Sequence, residues 1–391
     1  MHTADVIIVG GGCMGASTAY HLARRGLTNI ILVERDTQLG AGSTGRNAGG
    51  VRHQFSDPAN IALSKESIAL FARFEQELGF PIDFWRHGYL FLLSTEASVR
   101  TFEANVALQR REGVDVEWLS GARAAEVAPG ISIDGVLAAT FCGADGVADP
   151  HGVTMGFAKA AQAMGVRLWR DAEVTRIVVA RNRVEGVDTT RGPIASRMVV
   201  NAAGPWAGEV GRMAGIDVPI VPERRHIFIA KPDGDRSWDD PRYRGETPST
   251  RVLVIDFDTT FYFHREGGGL LFGMADPEEE VGFDTTVRWD VLPRVTEVAV
   301  ARLPALAHAS VSHAWAGLYE MTPDHNPIIG ASPIDGLFVI AGFSGHGFQH
   351  SPAAGRILAD LIVGRDPKLD LTSFAFDRFS TRSGRGESNV V

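Results

Sequence analysis

The chain has 391 residues, 45% of them hydrophobic and 22% charged, which excludes disorder as the main state and points to about two domains or one large mixed α/β unit. A net charge of −9 argues against a nucleic-acid reader working through phosphate contacts. The two cysteines, Cys13 and Cys142, are too few for a disulfide framework or a cysteine-rich zinc site and read as small packing residues.

In chain order, residues 5–9 form a short apolar run ending in Gly10-Gly11-Gly12, the signature of a fully buried parallel strand. Residues 14–25 read as a helix and 29–33 as a second buried strand ending at Glu34, which completes a βαβ unit. Residues 40–50 are a loop rich in Gly, Ser and Asn, and 58–78 an amphipathic helix. A strand is expected at 89–93 and helices at 97–112 and 152–164. The runs 173–179, 183–189 and 194–200 form a β-meander that ends in Ala202-Ala203-Gly204-Pro205-Trp206. Four more β-rich runs cover 225–230, 252–257, 260–264 and 270–274, with Gly267-Gly268-Gly269 as a tight turn. A buried strand at 337–341 runs into Gly342, and a last helix spans about 352–363, with Ser351 as N-cap and Pro352 at its first position. The stretch 381–391 reads as a flexible tail. No apolar run reaches the roughly 18 residues that span a bilayer, and no basic, apolar leader opens the chain, so the expectation is a cytoplasmic protein without a transmembrane segment.

The first chemical signal is Gly10-x-Gly12-x-x-Gly15 between a strand and a helix. The first glycine permits the turn, the second lets the backbone approach a pyrophosphate, and the third lets helix and strand pack closely. The helix N-terminus adds N–H donors and a positive dipole end. Glu34, about twenty residues further on, is placed to accept from ribose hydroxyls. The fingerprint leaves NAD and FAD both open. The long small-residue loop 40–50 favours a larger cofactor, because it allows backbone to approach a second part of the ligand.

Several segments, in order along nearly the whole chain, resemble the D-amino-acid oxidase superfamily of FAD enzymes. They are the N-terminal βαβ unit, Ser43 to Phe55, Ala202-Ala203-Gly204-Pro205-Trp206, Tyr319-Glu320-Met321-Thr322-Pro323-Asp324, and Gly342-Phe343-Ser344-Gly345-His346-Gly347-Phe348. The resemblance is closest to the sarcosine oxidase and dimethylglycine dehydrogenase branch, in particular the β subunits of multi-subunit amine dehydrogenases and oxidases. It implies a mixed α/β (α+β) fold: a discontinuous Rossmann-like FAD domain (1–80, 145–222 and 315–380) with an inserted antiparallel β-sheet substrate domain (81–144 and 223–314).

The resemblance also implies a non-covalently held FAD. Gly10, Gly12, Gly15, Glu34 and Arg35 would hold its ADP part, and Val174 its adenosine. Ser43, Thr44, Arg46 and Asn47 would lie along the flavin, with Gly204, Gly317, Gly342, Gly345, His346, Gly347 and Phe348 completing the site. Gly317 stands where monomeric sarcosine oxidases carry the cysteine that bonds the flavin. Arg52 matches an arginine that binds substrate carboxylate, and Gln349 a second carboxylate-binding position that is lysine in those oxidases. Tyr262, His264 and Tyr319 are candidate pocket walls, and His346 a neighbour of the flavin. Leu271 aligns with a lysine above the flavin that assists reaction with oxygen.

The activity implied is oxidation of a C–H bond beside the nitrogen of a small carboxylate-bearing amine, with oxygen, a quinone, or a partner subunit or flavoprotein as electron acceptor and a possible hetero-oligomer. This chain has only Lys65, Lys159, Lys231 and Lys368 as lysines, none at either matched position, so slow reaction with oxygen is expected. The alternatives are a non-catalytic flavoprotein subunit or assembly factor, and an NAD-linked dehydrogenase on the same fold.

Overall fold

In the computed structural model, residues 2–232, 236–381 and 386–390 are described. The strands Val6–Val9 and Ile30–Val33 are buried at every position, as their unbroken β-branched and aliphatic content requires for a sheet covered on both faces. They are inner strands of a six-stranded sheet in the order Arg167–Trp169, Ile30–Val33, Val6–Val9, Val199–Asn201, Leu337–Ala341, Ile328–Ala331. All pairs are parallel except the last. The helices Cys13–Arg24, Pro150–Ala163 and Gly347–Ile362 cover one face, their small residues packed closely on Val6, Ile8, Ile30 and Leu32. A four-stranded sheet built on the hairpin Val174–Ala180 and Arg183–Thr189 covers the other.

An eight-stranded sheet forms the second layer. Its order is Ala309–Met321, Val221–Pro232, Gly269–Met274, Phe261–Glu266, Leu253–Asp256, Tyr89–Leu93, Ala138–Cys142, Glu117–Leu119. Alternate residues of these strands face two ways. Phe228, Phe261, Phe263, Leu270 and Phe272 pack under the helix Leu292–Arg302, while Arg225, Ile227, Tyr262 and Tyr319 face a cavity shared with the first layer.

Five expectations change. The helix expected over 58–78 is broken at Arg73 into Pro58–Ala72 and Phe74–Leu78. The run 194–200 is not one strand: Ile194–Ala195 joins the four-stranded sheet and Val199–Asn201 the central one. Ser196 makes the break, its hydroxyl bonding Asp5 O and Met198 O. The second sheet is not wholly antiparallel, since Leu253–Asp256 runs parallel to Tyr89–Leu93. The helix expected at 352 begins five residues earlier, as Gly347–Ile362, with Pro352 inside it. Pro352 lacks the N–H that would reach Phe348 O, and the Ser351 hydroxyl occupies that oxygen instead at 2.8 Å. Finally, residues 386–390 do not hang free. Glu387 and Asn389 are buried because polar side chains there find partners in the body of the protein. No helix among the described residues is long and apolar enough to cross a membrane.

Candidate active site

The cavity between the layers is bordered by the loop after the first strand, residues 33–36, the segment 40–52, residues 172–174, the segment 202–213, residues 317–320 and 344–349, and side chains of the eight-stranded sheet. Gly12 caps the helix Cys13–Arg24 without a side-chain bond, and no acid lies in its first turn, which leaves a positive dipole end and free N–H groups facing the cavity. Thr44 Oγ1 accepts from Cys13 N at 3.2 Å and ties the second loop to this turn. Glu34 accepts from Gly11 N at 2.7 Å and Asp36 N at 2.9 Å, and burial raises its carboxyl above the usual range. Gly15 does not border the cavity. A Cβ there would lie 1.9 Å from Gly10 O, so this glycine is needed for helix–strand contact.

A second helix N-terminus meets the same cavity. His346 caps Gly347–Ile362 with no side-chain bond and no acid in the first turn. At Gly345, φ is +93° and a Cβ would stand 2.3 Å from the Tyr319 ring, so only glycine lets the loop pass that ring. Gly342 is a turn residue against Thr322 and does not line the cavity. Of the other expected cofactor contacts, Gly10, Gly12, Glu34, Arg35, Ser43, Thr44, Arg46, Asn47, Val174, Gly204, Gly317, Gly345, His346, Gly347 and Phe348 border it. Ser43 Oγ donates to Leu318 O at 2.6 Å and an Arg46 N–H to Ala316 O at 2.9 Å. A Cβ on Gly317 would lie 3.0 Å from that of Arg46.

Arg52, Tyr262, Tyr319, His346 and Gln349 also border the cavity. Arg52 is 6% exposed. Its guanidinium donates to Gln54 O and Asn389 O, lies over the Phe55 ring at 3.9 Å, and meets no carboxylate within ion-pair distance among the described residues. Gln349 Oε1 accepts from Arg52 N at 2.6 Å. Burial pushes the Tyr262 and Tyr319 hydroxyls up and holds His346 neutral. His264 does not line the cavity; its ring nitrogens lie 2.8 Å from Arg265 O and 3.0 Å from Ala48 O. Leu271, expected above a flavin, is buried beside His264 and is not on the cavity wall.

Tyr89, Arg225, Glu320 and Val390, none of them expected from the sequence, also line the cavity. Three of the chain's five tyrosines, Tyr89, Tyr262 and Tyr319, gather here, a convergence of distant strands that no local motif signals. Arg225 lies over the Tyr319 ring and pairs with Glu223 at 3.0 Å. Glu320 is half-buried with its carboxyl turned inward, and desolvation pushes that group up to about 7. One of its oxygens accepts from Phe343 N at 3.2 Å, and the other has no partner.

These features fit a large dinucleotide: a glycine-lined turn at a helix N-terminus, an acid on the cavity wall at the end of the second strand, and partnerless buried polar atoms on Glu320 and His346. The comparisons agree. Residues 5–361 match the family model described as DAO, FAD dependent oxidoreductase. FAD-dependent oxidoreductase domain-containing protein 1 of Xenopus laevis is 33% identical, over 99% of this chain and 85% of that protein. Mitochondrial dimethylglycine dehydrogenase of Rattus norvegicus is 29% identical over 99% of this chain but only 47% of its own length. Among solved structures, L-proline dehydrogenase from P. horikoshii is similar at a TM-score of 0.88 and 33% identity, covering 98% of this chain and 100% of that one. Glycine oxidase from Geobacillus kaustophilus is similar at 0.84 and 26%, covering 97% and 99%. The chain belongs to the DAO family of FAD-dependent oxidoreductases.

Proposed function

We propose that this enzyme oxidises the C–H bond beside the nitrogen of a small amine that carries a carboxylate: an N-methyl amino acid such as sarcosine, a proline-like imino acid, or glycine. The observation that carries this reading is Arg52, a buried guanidinium on the cavity wall that carbonyl oxygens orient and that no carboxylate among the described residues pairs with directly. Glu387 and Asp145 act on it only through space; a buried charge gains most from a direct partner, and a substrate carboxylate supplies one in bidentate geometry. Gln349, its carbonyl held by Arg52 N, keeps N–H donors for the same anion.

Bound FAD supplies the hydride acceptor, and the imine product is hydrolysed by water. The protein's part is placement. The phenols of Tyr89, Tyr262 and Tyr319 are kept neutral by burial, so they donate hydrogen bonds and exclude water without competing for Arg52. Gly317, standing where a linking cysteine would be, supports a non-covalent FAD. The helix terminus at Gly347 favours an anion beside it. Similarity to a proline dehydrogenase and to sarcosine and dimethylglycine dehydrogenases supports the amine substrate and a dehydrogenase with slow oxygen reaction. Among the described residues no lysine lines the cavity, and Glu223 offsets Arg225.

Steady-state kinetics of Arg52→Ala test the reading. KM for sarcosine or L-proline is expected to rise about 100-fold, in line with the loss of a charge-assisted bidentate pair. Unchanged KM overturns it. Reoxidation of the reduced enzyme in air as fast as in a true oxidase would remove the dehydrogenase assignment.

A further inference from the structure

We propose that the C-terminal segment 386–390 is part of the substrate site, a fixed strap that positions Arg52 and closes one wall of the substrate compartment. The proposal rests on the reading of Arg52 as the carboxylate anchor. The strap touches the site twice. The backbone carbonyl of Asn389 is one of the two acceptors that orient the Arg52 guanidinium, and Val390 borders the cavity. With Gln54 O on one terminal nitrogen and Asn389 O on the other, the planar fork is held from both ends, so its remaining N–H groups have a defined direction.

The anchor of the strap is Glu387. Its carboxylate accepts from Ser56 N at 2.9 Å, Ser56 Oγ at 2.6 Å, Asp57 N at 3.1 Å, Asn60 Nδ2 at 3.0 Å and Asn389 N at 2.9 Å. The backbone donors among these lie at the start of the helix Pro58–Ala72, or, for Asn389 N, in the strap itself. An anion is favoured at such a helix start. Glu387 N donates to Asp324 O at 2.9 Å, Ser388 N to Ser56 Oγ at 2.8 Å, and the Asn389 side chain is held by Asn105 Nδ2 at 2.9 Å and Gln54 O at 3.2 Å. A segment bonded at three successive positions, 387 to 389, to three parts of the chain is a built wall. Glu387 and Asn389 therefore act as positioning residues, and Val390 limits the size of the group beside the carboxylate.

The experiment uses the FAD-loaded enzyme, a chain ending at Thr381, Glu387→Gln and Arg52→Ala. Acetate is titrated against the flavin absorption spectrum, and sarcosine and L-proline kinetics are measured alongside. Loss of the strap is expected to raise the acetate Kd and the amino-acid KM at least 10-fold while kcat changes less than threefold; Glu387→Gln should do so by about threefold. If both strap variants bind acetate like the parent while Arg52→Ala does not, the strap proposal fails and the anchor reading stands. If Arg52→Ala also binds acetate normally, both fail. A fall in thermal stability or FAD retention without a change in acetate Kd marks a purely structural strap and overturns the proposal. If the shortened chain does not fold, Glu387→Gln decides the question.

Discussion

Glu320 shows how one residue records the purpose of a cavity. Apolar surroundings hold its carboxyl near pH 7, against 4.5 for the free group, and one oxygen has no protein partner. Between those two pH values the unfolded chain has released the proton while the folded chain keeps it, so stability of the FAD-free protein falls as pH rises through this window. The penalty reaches about 3 kcal/mol above pH 7 at 1.36 kcal/mol per unit. Glu320→Gln removes it. The FAD-free variant is expected to unfold at higher denaturant than the parent at pH 8 and at nearly the same denaturant at pH 4.5, and equal midpoints at pH 8 would contradict the assignment. Gly345 makes a steric demand of similar weight. Gly345→Ala drives a Cβ into the Tyr319 ring at positive φ, with an expected loss of about 2 kcal/mol and weaker FAD retention, both readable by thermal melts with and without added FAD.

At the level of elements, the helix Gly347–Ile362 departs most from its sequence signals. A Ser-Pro pair ordinarily starts a helix. Here the helix is packed so firmly against Cys13–Arg24 and Pro58–Ala72 that it continues through the proline. The shift matters for the site, since a helix starting at 352 would leave the cavity facing a loop, whereas one starting at Gly347 presents its N–H groups there. Ser351 makes the continuation tolerable by bonding Phe348 O. Ser351→Ala leaves that buried carbonyl without its hydroxyl partner and is expected to cost about 1–2 kcal/mol in urea unfolding; no loss would mean that another donor takes over.

For the whole molecule, the cavity is assembled from distant stretches, so its occupant binds only the folded state. Addition of FAD at 100 times its Kd is expected to stabilise the FAD-free protein by about 2.7 kcal/mol. The melting temperature should rise with the logarithm of FAD concentration and stay unmoved by NAD at the same concentrations. A rise with NAD alone would favour the alternative dinucleotide. The strap extends the same logic, because its partners, Ser56, Asn105 and Asp324, are brought to the C-terminal end only by folding.

The sequence by itself determined the parts whose signal is local. The buried strands Val6–Val9, Ile30–Val33 and Leu337–Ala341 follow from unbroken apolar runs, and the phosphate-type turn from glycines whose missing Cβ atoms the packing requires. The family followed from short segments spread along the chain in a fixed order. The tertiary structure alone decided what depends on distant contacts: which sheet Val199–Asn201 joins, that the last helix runs through Pro352, and that Arg225 reaches the cavity wall while Leu271, on the same face of the sheet, does not. It also turned a polar tail into a wall. A run such as Glu-Ser-Asn-Val has no apolar face to announce burial, and its place is set by hydrogen-bond partners as much as 337 residues away.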